Sequence, residues 1–355
     1  MYEQIPDDAA ITRALGRWRD AANRPTRIAV VARSSSSVDP IQTALKGLGL
    51  PITFGPLYDS ERRVTPGFDT AEIIIAAAIP ITGPVFDQLA CRMMLCPSVG
   101  YNGVNIADAT ARGIVVCNIP DAYSEEVALQ AIAFLMAANR NLPAFEQSLR
   151  AGHWRDDMAQ SIILHNPSAQ TVGVIGFGRI GRIAATKAKA LGFTVIATDP
   201  YVSASVGEAM GVPLVSLDEV LTQSDYITIH SFLWDETHHL INAERIAKMK
   251  RGAWIINTAR GPIIDEAAMV AALQSGHLAG AGLDVFEVEP IALDNPLLAM
   301  PNVMVAPHIA VYSEEGRVRT VERAMGITRA AIAGHLPDHD AVVDKGFYDT
   351  LVARM

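Results

Sequence analysis

The stretch "TVGVIGFGRIGRIAATKAKALGFTVIATD", residues 171–199, constrains the fold more than any other part of the chain. An apolar β-branched run leads into Gly176-x-Gly178-x-x-Gly181. An alanine-rich helical pattern follows, and a second apolar run ends at Asp199. In that order each glycine has its own task. Gly176 permits a tight turn, Gly178 lets a pyrophosphate approach the backbone, and Gly181 lets helix and strand pack closely. The phosphates then meet the helix N-terminus, where unpaired N–H groups and the dipole favour anions. Arg179 and Ile180, which open this helix, are counted with the glycines as cofactor-binding. Asp199 stands where a carboxylate accepts hydrogen bonds from a ribose and repels a 2′-phosphate. Pro200 and Tyr201 follow, with no arginine to offset the repulsion. The expected cofactor is NAD rather than NADP.

The flanking sequence repeats the same alternation. Before the fingerprint come "RIAVVAR", "PIQTALKGLG", "AEIIIAAAI", "VFDQLACRM" and "MMLCPSV", strand-like and helical in turn; after it come "YITIH", "AWIINTA", "AGLDVF" and "NVMVAPH". Such alternation builds βαβ units on parallel sheets, and 355 residues, 50% of them hydrophobic, suffice for two cores. The expected class is α/β, with two Rossmann-like or flavodoxin-like doubly wound parallel-sheet domains and a cleft between them. Residues 1–121 plus 312–355 are expected to form a discontinuous substrate (catalytic) domain, and 122–311 the NAD-binding Rossmann domain. "AAITRALGRWRDAANRP" reads as an N-terminal helix ended by Pro25, and a closing helix runs from Ser313 to about Gly334. In "SEEVALQAIAFLMAANRNL", Ser124 offers a hydroxyl cap and the glutamates suit the N-terminal dipole. From Val127 to Ala138 this helix is apolar nearly all round, which predicts burial on every side, against a second subunit or within the chain.

A net charge of −9 argues against nucleic acid or anionic membrane as the main partner. Cys91, Cys96 and Cys117 show neither metal-ligand nor disulfide spacing, so no metal is expected. Asp7 and Asp8 stand where a signal peptide would need apolar residues, and runs such as Ile73 to Ile79 are too short to span a bilayer. The expectation is a soluble, cytoplasmic protein acting on a small molecule, as a homodimer through its cofactor domain.

Three segments fall at the C-terminal ends of strands in the second series, where open α/β sheets bind ligands: "IINTARGPIIDE", "AGLDVFEVEP" and "APHIA". Arg260 suits a two-pronged contact with a carboxylate and polarises a neighbouring carbonyl. His308 suits proton donation to the carbonyl oxygen as hydride arrives, and proton removal in reverse. Glu289 can bond the far imidazole nitrogen, fix its tautomer and favour the protonated ring. Singly, each has a structural rival: a surface salt bridge, a buried histidine, a glutamate capping a helix before Pro290. Together, beside a nicotinamide site, they suit reduction of a carbonyl next to a carboxylate.

With "GFGRIG", "NTARG", "GLDVFEVEP" and "APHIA" in this order, the chain resembles the D-isomer-specific 2-hydroxyacid dehydrogenases from about Arg27 to Gly334. The resemblance implies Arg260 as substrate-binding arginine, Glu289 as partner of the acid/base His308, and Asp284 at the nicotinamide carboxamide. It also implies that the backbone of Thr258, Ala259 and Arg260 lies near the ring. Within the family, "HHLIN" and "YSEE" look most like the C-terminal binding protein branch, which places His230, Ser231 and Thr237 along the cofactor. The substrate loop departs from the family pattern: it reads "CPSVGYNGVN", with no positive charge at Cys96 and Asn102-Gly103 in place of an Asp-Asn pair. Backbone N–H groups of Ser98, Val99 and Gly100 remain candidates to receive a carboxylate. Val311 stands where that branch carries an aromatic residue. The identity of the 2-hydroxyacid therefore stays open. The alternative readings are an NAD(H)-sensing corepressor-like scaffold and a formate- or phosphite-type dehydrogenase.

Overall fold

The computed structural model describes residues 7–19, 21, 26–31, 39–76, 79–154 and 163–355. The chain divides into two compact units, Met1–Tyr123 with Ser313–Met355, and Ser124–Tyr312. Pro25, the expected end of the first helix, lies outside the described residues; the helix itself spans Asp8–Arg19.

In the first unit, β1 (Ile28–Val31), β2 (Ile52–Gly55), β3 (Ile73–Ile75), β4 (Met93–Leu95) and β5 (Val115–Cys117) form a parallel sheet in the order 2-1-3-4-5. The central strands are continuous apolar runs because both faces of a parallel sheet are covered. One face packs Ile11 and Trp18 of the first helix, Met325 and Ile327 of the helix Glu314–Ile332, and Phe347 of the helix Lys345–Arg354. Phe68, Phe86 and Ile106 cover the other face. Arg92, 1% exposed, sits inside this unit. It pairs with Glu72 at 3.0 Å, donates to the Ala331 carbonyl at 2.8 Å, and lies over the Trp18 ring at 5.3 Å.

In the second unit, β6 (Thr171–Ile175), β7 (Thr194–Thr198), β8 (Tyr226–Ile229), β9 (Ala253–Asn257), β10 (Leu278–Leu283) and β11 (Val303–Val305) form a parallel sheet ordered 11-10-9-8-6-7. The order reverses at β6, so the crevice for a ligand opens beyond the C-terminal ends of β6 and β8. The two sheets are the doubly wound α/β architecture that the alternating runs predict.

Two local expectations need correction. "VFDQLACRM" does not sustain a helix: one turn, Gly83–Phe86, forms, and Leu89 and Cys91 fill the core from the connection to β4. Ser124 does not cap its helix. It is already the first helical residue, whereas a capping residue stands outside the helix, and among the described residues its hydroxyl is buried without a partner. Within the chain, the same helix, Ser124–Asn139, buries one side. Ala131, Phe134, Leu135 and Ala138 pack into the second unit, while Leu129 stays 47% exposed. The three cysteines are free and buried, and burial pushes the Cys91 and Cys96 thiols up to about 12. Among the described residues, no His/Cys/Asp/Glu cluster could hold a metal, and no helix is long and apolar enough to cross a membrane.

Candidate active site

The turn after β6 shows why glycine is required at two positions. Gly176 has φ +90°, and a Cβ there would stand 2.6 Å from the Ser231 nitrogen, so the turn packs directly on the end of β8. A Cβ on Gly181 would lie 2.0 Å from the Gly176 oxygen, which fixes the close approach of the helix Arg179–Ala190 to β6. Gly178 differs: no atom lies within 4 Å of the place its Cβ would take. It caps the helix without a side chain, leaving open space ahead of the first-turn N–H groups. Asp199 Oδ2 accepts the Phe177 N–H at 2.8 Å and Oδ1 accepts that of Tyr201 at 2.9 Å, which holds the carboxylate beside this turn. Each oxygen keeps a lone pair for a ribose hydroxyl.

Further along the strand ends, Ser231 Oγ, Thr258 Oγ1 and His230 Nδ1 are buried without a hydrogen-bond partner among the described residues. Native proteins seldom leave such groups unsatisfied, and a polar ligand lying across β8 and β9 would supply the partners. His230 Nε2 lies 3.0 Å from Thr228 Oγ1, and burial lowers the imidazole pKa to about 4, so the ring is neutral. Thr237 spends its hydroxyl on the loop after β8, donating to the Phe232 carbonyl at 2.6 Å and accepting the Trp234 N–H at 2.9 Å. These residues, with the open glycine cradle, fit a dinucleotide.

Asn257 closes β9 and shapes the turn beyond it. Its side chain accepts the Ala259 N–H at 3.0 Å and donates to the Arg260 carbonyl at 2.9 Å. The turn carrying Arg260 is thus built by a buried residue that sequence reasoning missed. An asparagine ending a strand before a turn is the signal that could have found it. Burial lowers the Arg260 pKa while the Glu289 carboxylate opposes that shift; a guanidinium remains charged.

His308 follows β11 in the left-handed region, φ +55°, a conformation costing roughly 1–3 kcal/mol in a non-glycine residue. Asp284 holds it there. The Asp284 carbonyl accepts the His308 N–H at 2.8 Å, and its two carboxylate oxygens accept the Ile309 and Ala310 N–H groups, each at 2.9 Å. Burial raises the Asp284 pKa against the pull of those two donors. At 0% exposure Asp284 is, among the described residues, one of the few fully buried carboxylates, held by these two donors. Strand order brings Glu289 to the same place: His308 Nδ1 lies 2.7 Å from Glu289 Oε2, and Glu289 Oε1 accepts the Phe286 N–H at 3.1 Å. Burial alone would raise the Glu289 pKa. The bonds from His308 and Phe286 and the charges of His308 and Arg260 outweigh it, so the carboxyl titrates below its ordinary value. Among the described residues nothing hydrogen-bonds His308 Nε2, which leaves that nitrogen for a reacting group.

The segment Ser98–Gly100 lies in the first unit. Ser98 Oγ donates to the Gly100 carbonyl at 2.7 Å and Asn118 Nδ2 to the Val99 carbonyl at 2.7 Å. Among the described residues the N–H groups of Val99 and Gly100 have no protein acceptor. Cys96, where the family pattern has a positive charge, is a core position, 2% exposed.

Residues 132–310, half of the chain, match the model of the D-isomer specific 2-hydroxyacid dehydrogenase NAD binding domain. The chain belongs to this family. It is 38% identical to a glyoxylate reductase of Korarchaeum cryptofilum over 73% of its own length and 78% of that protein's. It is 40% identical to a D-3-phosphoglycerate dehydrogenase of Mycobacterium tuberculosis over 80% of its own length, but spans only 53% of that relative. Among solved structures, D-lactate dehydrogenase from Aquifex aeolicus, complexed with NAD and lactic acid, aligns with TM-score 0.78 at 30% identity, covering 86% of this chain and 96% of that one. A glyoxylate reductase from Paecilomyes thermophila aligns with TM-score 0.79 at 29% identity, covering 91% and 99%. As in its family, the domain around the glycine cradle is an NAD-binding domain.

Proposed function

We propose that this protein interconverts a 2-ketoacid and a D-2-hydroxyacid with NAD, using His308 as acid/base. The observation that carries the reading is the His308 Nδ1–Glu289 Oε2 contact of 2.7 Å with Nε2 left available, inside a domain whose cradle fits a dinucleotide. When bound, the cofactor would supply a hydride as NADH for reduction and accept one as NAD+ for oxidation. The protein's own groups do the rest. Arg260 pairs with the substrate carboxylate and polarises its carbonyl. Protonated His308 gives the proton on Nε2 to the carbonyl oxygen as the carbonyl carbon gains the hydride, and in reverse the neutral ring takes that proton back. Glu289 stabilises the imidazolium and fixes its tautomer. Asp284 anchors the backbone that presents the ring. Asp199 selects NAD over NADP.

We also propose that the protein acts in the cytoplasm as a homodimer. Three free buried cysteines suit a reducing compartment. Leu129, Leu142, Leu149 and Trp154 are 47–66% exposed on and just after the helices around 124–150, and Leu142–Arg150 has no buried residue, so a second copy would cover an apolar face. Sedimentation of the protein and of a Leu142→Glu, Leu149→Glu variant tests this; a monomeric parent contradicts it.

The activity test is NADH oxidation against a panel that includes glyoxylate, pyruvate, hydroxypyruvate and longer 2-ketoacids, with chiral analysis of the product. Turnover giving a D-2-hydroxyacid supports the reading. Tight NADH binding with silence across the panel contradicts it and points to a sensing scaffold.

A further inference from the structure

Beyond Glu289 and His308, a second histidine–carboxylate pair lies in the same unit. His239 Nε2 stands 2.8 Å from Glu287 Oε1, two residues before Glu289. His239 is one of four described non-glycine residues with positive φ, at +48°, and its ring stacks on His238 with centroids 4.1 Å apart. A left-handed residue of this kind persists only where its surroundings over-determine it, and here they do. The His239 N–H donates to the Pro262 carbonyl at 2.8 Å, and the Ile241 N–H to that of Ile263 at 3.0 Å, joining this loop to the one after Arg260.

Glu287 joins that loop from the other side. Its Oε2 accepts the Glu266 N–H at 3.1 Å, and Glu266 Oε2 accepts the Glu287 N–H at 3.1 Å, a reciprocal pair. Asn295 Nδ2 donates to Glu266 Oε1 at 2.7 Å and holds the second carboxylate in turn. The backbones touch where these bonds converge: a Cβ on Gly261, next to Arg260, would lie 1.8 Å from the Phe286 oxygen. Phe286 is also the residue whose N–H binds Glu289. Displacement of 286–287 therefore acts on Glu289 directly and on the backbone beside Arg260 through van der Waals contact.

We propose that His239 and Glu287 are positioning residues for the reaction: by tying the loops 237–241, 260–266 and 284–290 together, they hold Glu289 against His308 and keep Arg260 in register. The proposal rests on the acid/base role of His308. Neither residue touches the reacting atoms; both act through the loop that carries Glu289.

The test uses the full chain with Glu287→Ala, which loses both bonds, and Glu287→Gln, which keeps an acceptor for Glu266 and a donor for a neutral His239. For each, kcat and KM for ketoacid reduction, the Kd for NADH and the carbon-13 titration of the Glu289 carboxyl are measured. Misplacement of a catalytic group by about 1 Å costs up to roughly 10²-fold in rate, so Glu287→Ala should lose about 10- to 100-fold in kcat with NADH affinity unchanged. Its Glu289 carboxyl should titrate higher than in the parent. Glu287→Gln should restore most of the rate and the depressed titration. Unchanged kcat, loss that tracks NADH affinity, or an unmoved Glu289 titration in the alanine variant would overturn the proposal. Should Glu287→Ala fail to fold, His239→Ala, which removes one of the two bonds, is held to the same direction in both readouts. Should the parent reduce no ketoacid, the acid/base reading fails, while the Glu289 titration still decides whether the loops are clamped.

Discussion

Replacing Glu289 with Gln keeps a hydrogen-bond acceptor for His308 Nδ1 and removes the charge. In the folded protein the hydrogen bond and charge of His308 help to depress the Glu289 pKa. Unit charges about 4 Å apart interact by roughly 1 kcal/mol in water and about 4 kcal/mol at an effective dielectric near 20. The His308 and Glu289 side chains are 42% and 36% exposed, which places the pair near the lower figure. A loss of about 1 kcal/mol corresponds to somewhat under one pH unit. In the proposed mechanism ketoacid reduction uses the protonated ring, so its upper pH limb should move down by about 0.5–1 unit. Hydroxyacid oxidation needs the neutral ring and should stay active to lower pH by the same amount. The assay is a pair of pH–rate profiles, one per direction, for parent and variant. Profiles that stay in place while rates fall evenly would show that Glu289 is not coupled to the proton transferred. The same substitution bears on stability. The Glu289 pKa lies below its ordinary 4.5 when folded, so its contribution is present above that pH and is lost as pH falls through the depressed value. Thermal midpoints of Glu289→Gln should therefore vary less with pH in that acid range than those of the parent.

Asp199→Ala should relax discrimination against NADP, because a like-charge repulsion of about 1–3 kcal/mol with a 2′-phosphate disappears; equal use of both cofactors by the parent would contradict the role given to Asp199. Gly178→Ala should fold with an unchanged thermal midpoint, since nothing lies within 4 Å of its Cβ position, yet bind NADH more weakly by calorimetry because the methyl occupies the space for the pyrophosphate. Undiminished affinity would remove Gly178 from the cradle. Glu72→Ala strands the buried Arg92 charge and should cost about 3–5 kcal/mol in denaturant unfolding. A loss below about 1 kcal/mol, the worth of a surface pair, would show Arg92 to be hydrated.

The fold class and the cofactor were legible because their determinants are local. Gly176, Gly178 and Gly181 act through the backbone of one strand–turn–helix segment, and apolar runs such as Ile73–Ile75 and Ala253–Asn257 declare buried parallel strands without reference to partners. What stayed hidden depends on chain segments far apart. Asp284 grips Ile309 and Ala310 across 25 and 26 residues, and His239 meets Glu287 across 48. Only the strand order 9-10-11 makes such residues neighbours. The left-handed backbone of His308 was equally invisible, since histidine carries no marker for positive φ as glycine does. The short turn at Gly83–Phe86 and the uncapped Ser124 show the reverse error. There a plausible local pattern yielded to packing, because the apolar residues after Phe86 served the core from an irregular connection.

The measurement that bears most directly on the central claim compares the parent with His308→Gln. Both are assayed for NADH oxidation with the preferred 2-ketoacid and for NADH affinity by fluorescence. The pyrophosphate cradle and Asp199 are untouched by this change, so affinity should remain that of the parent. Turnover should fall by roughly 10²–10⁴, the usual worth of a positioned acid/base. A variant that keeps nearly full turnover across the pH range, or that loses rate only as it loses NADH, would contradict the account of His308 as the proton donor.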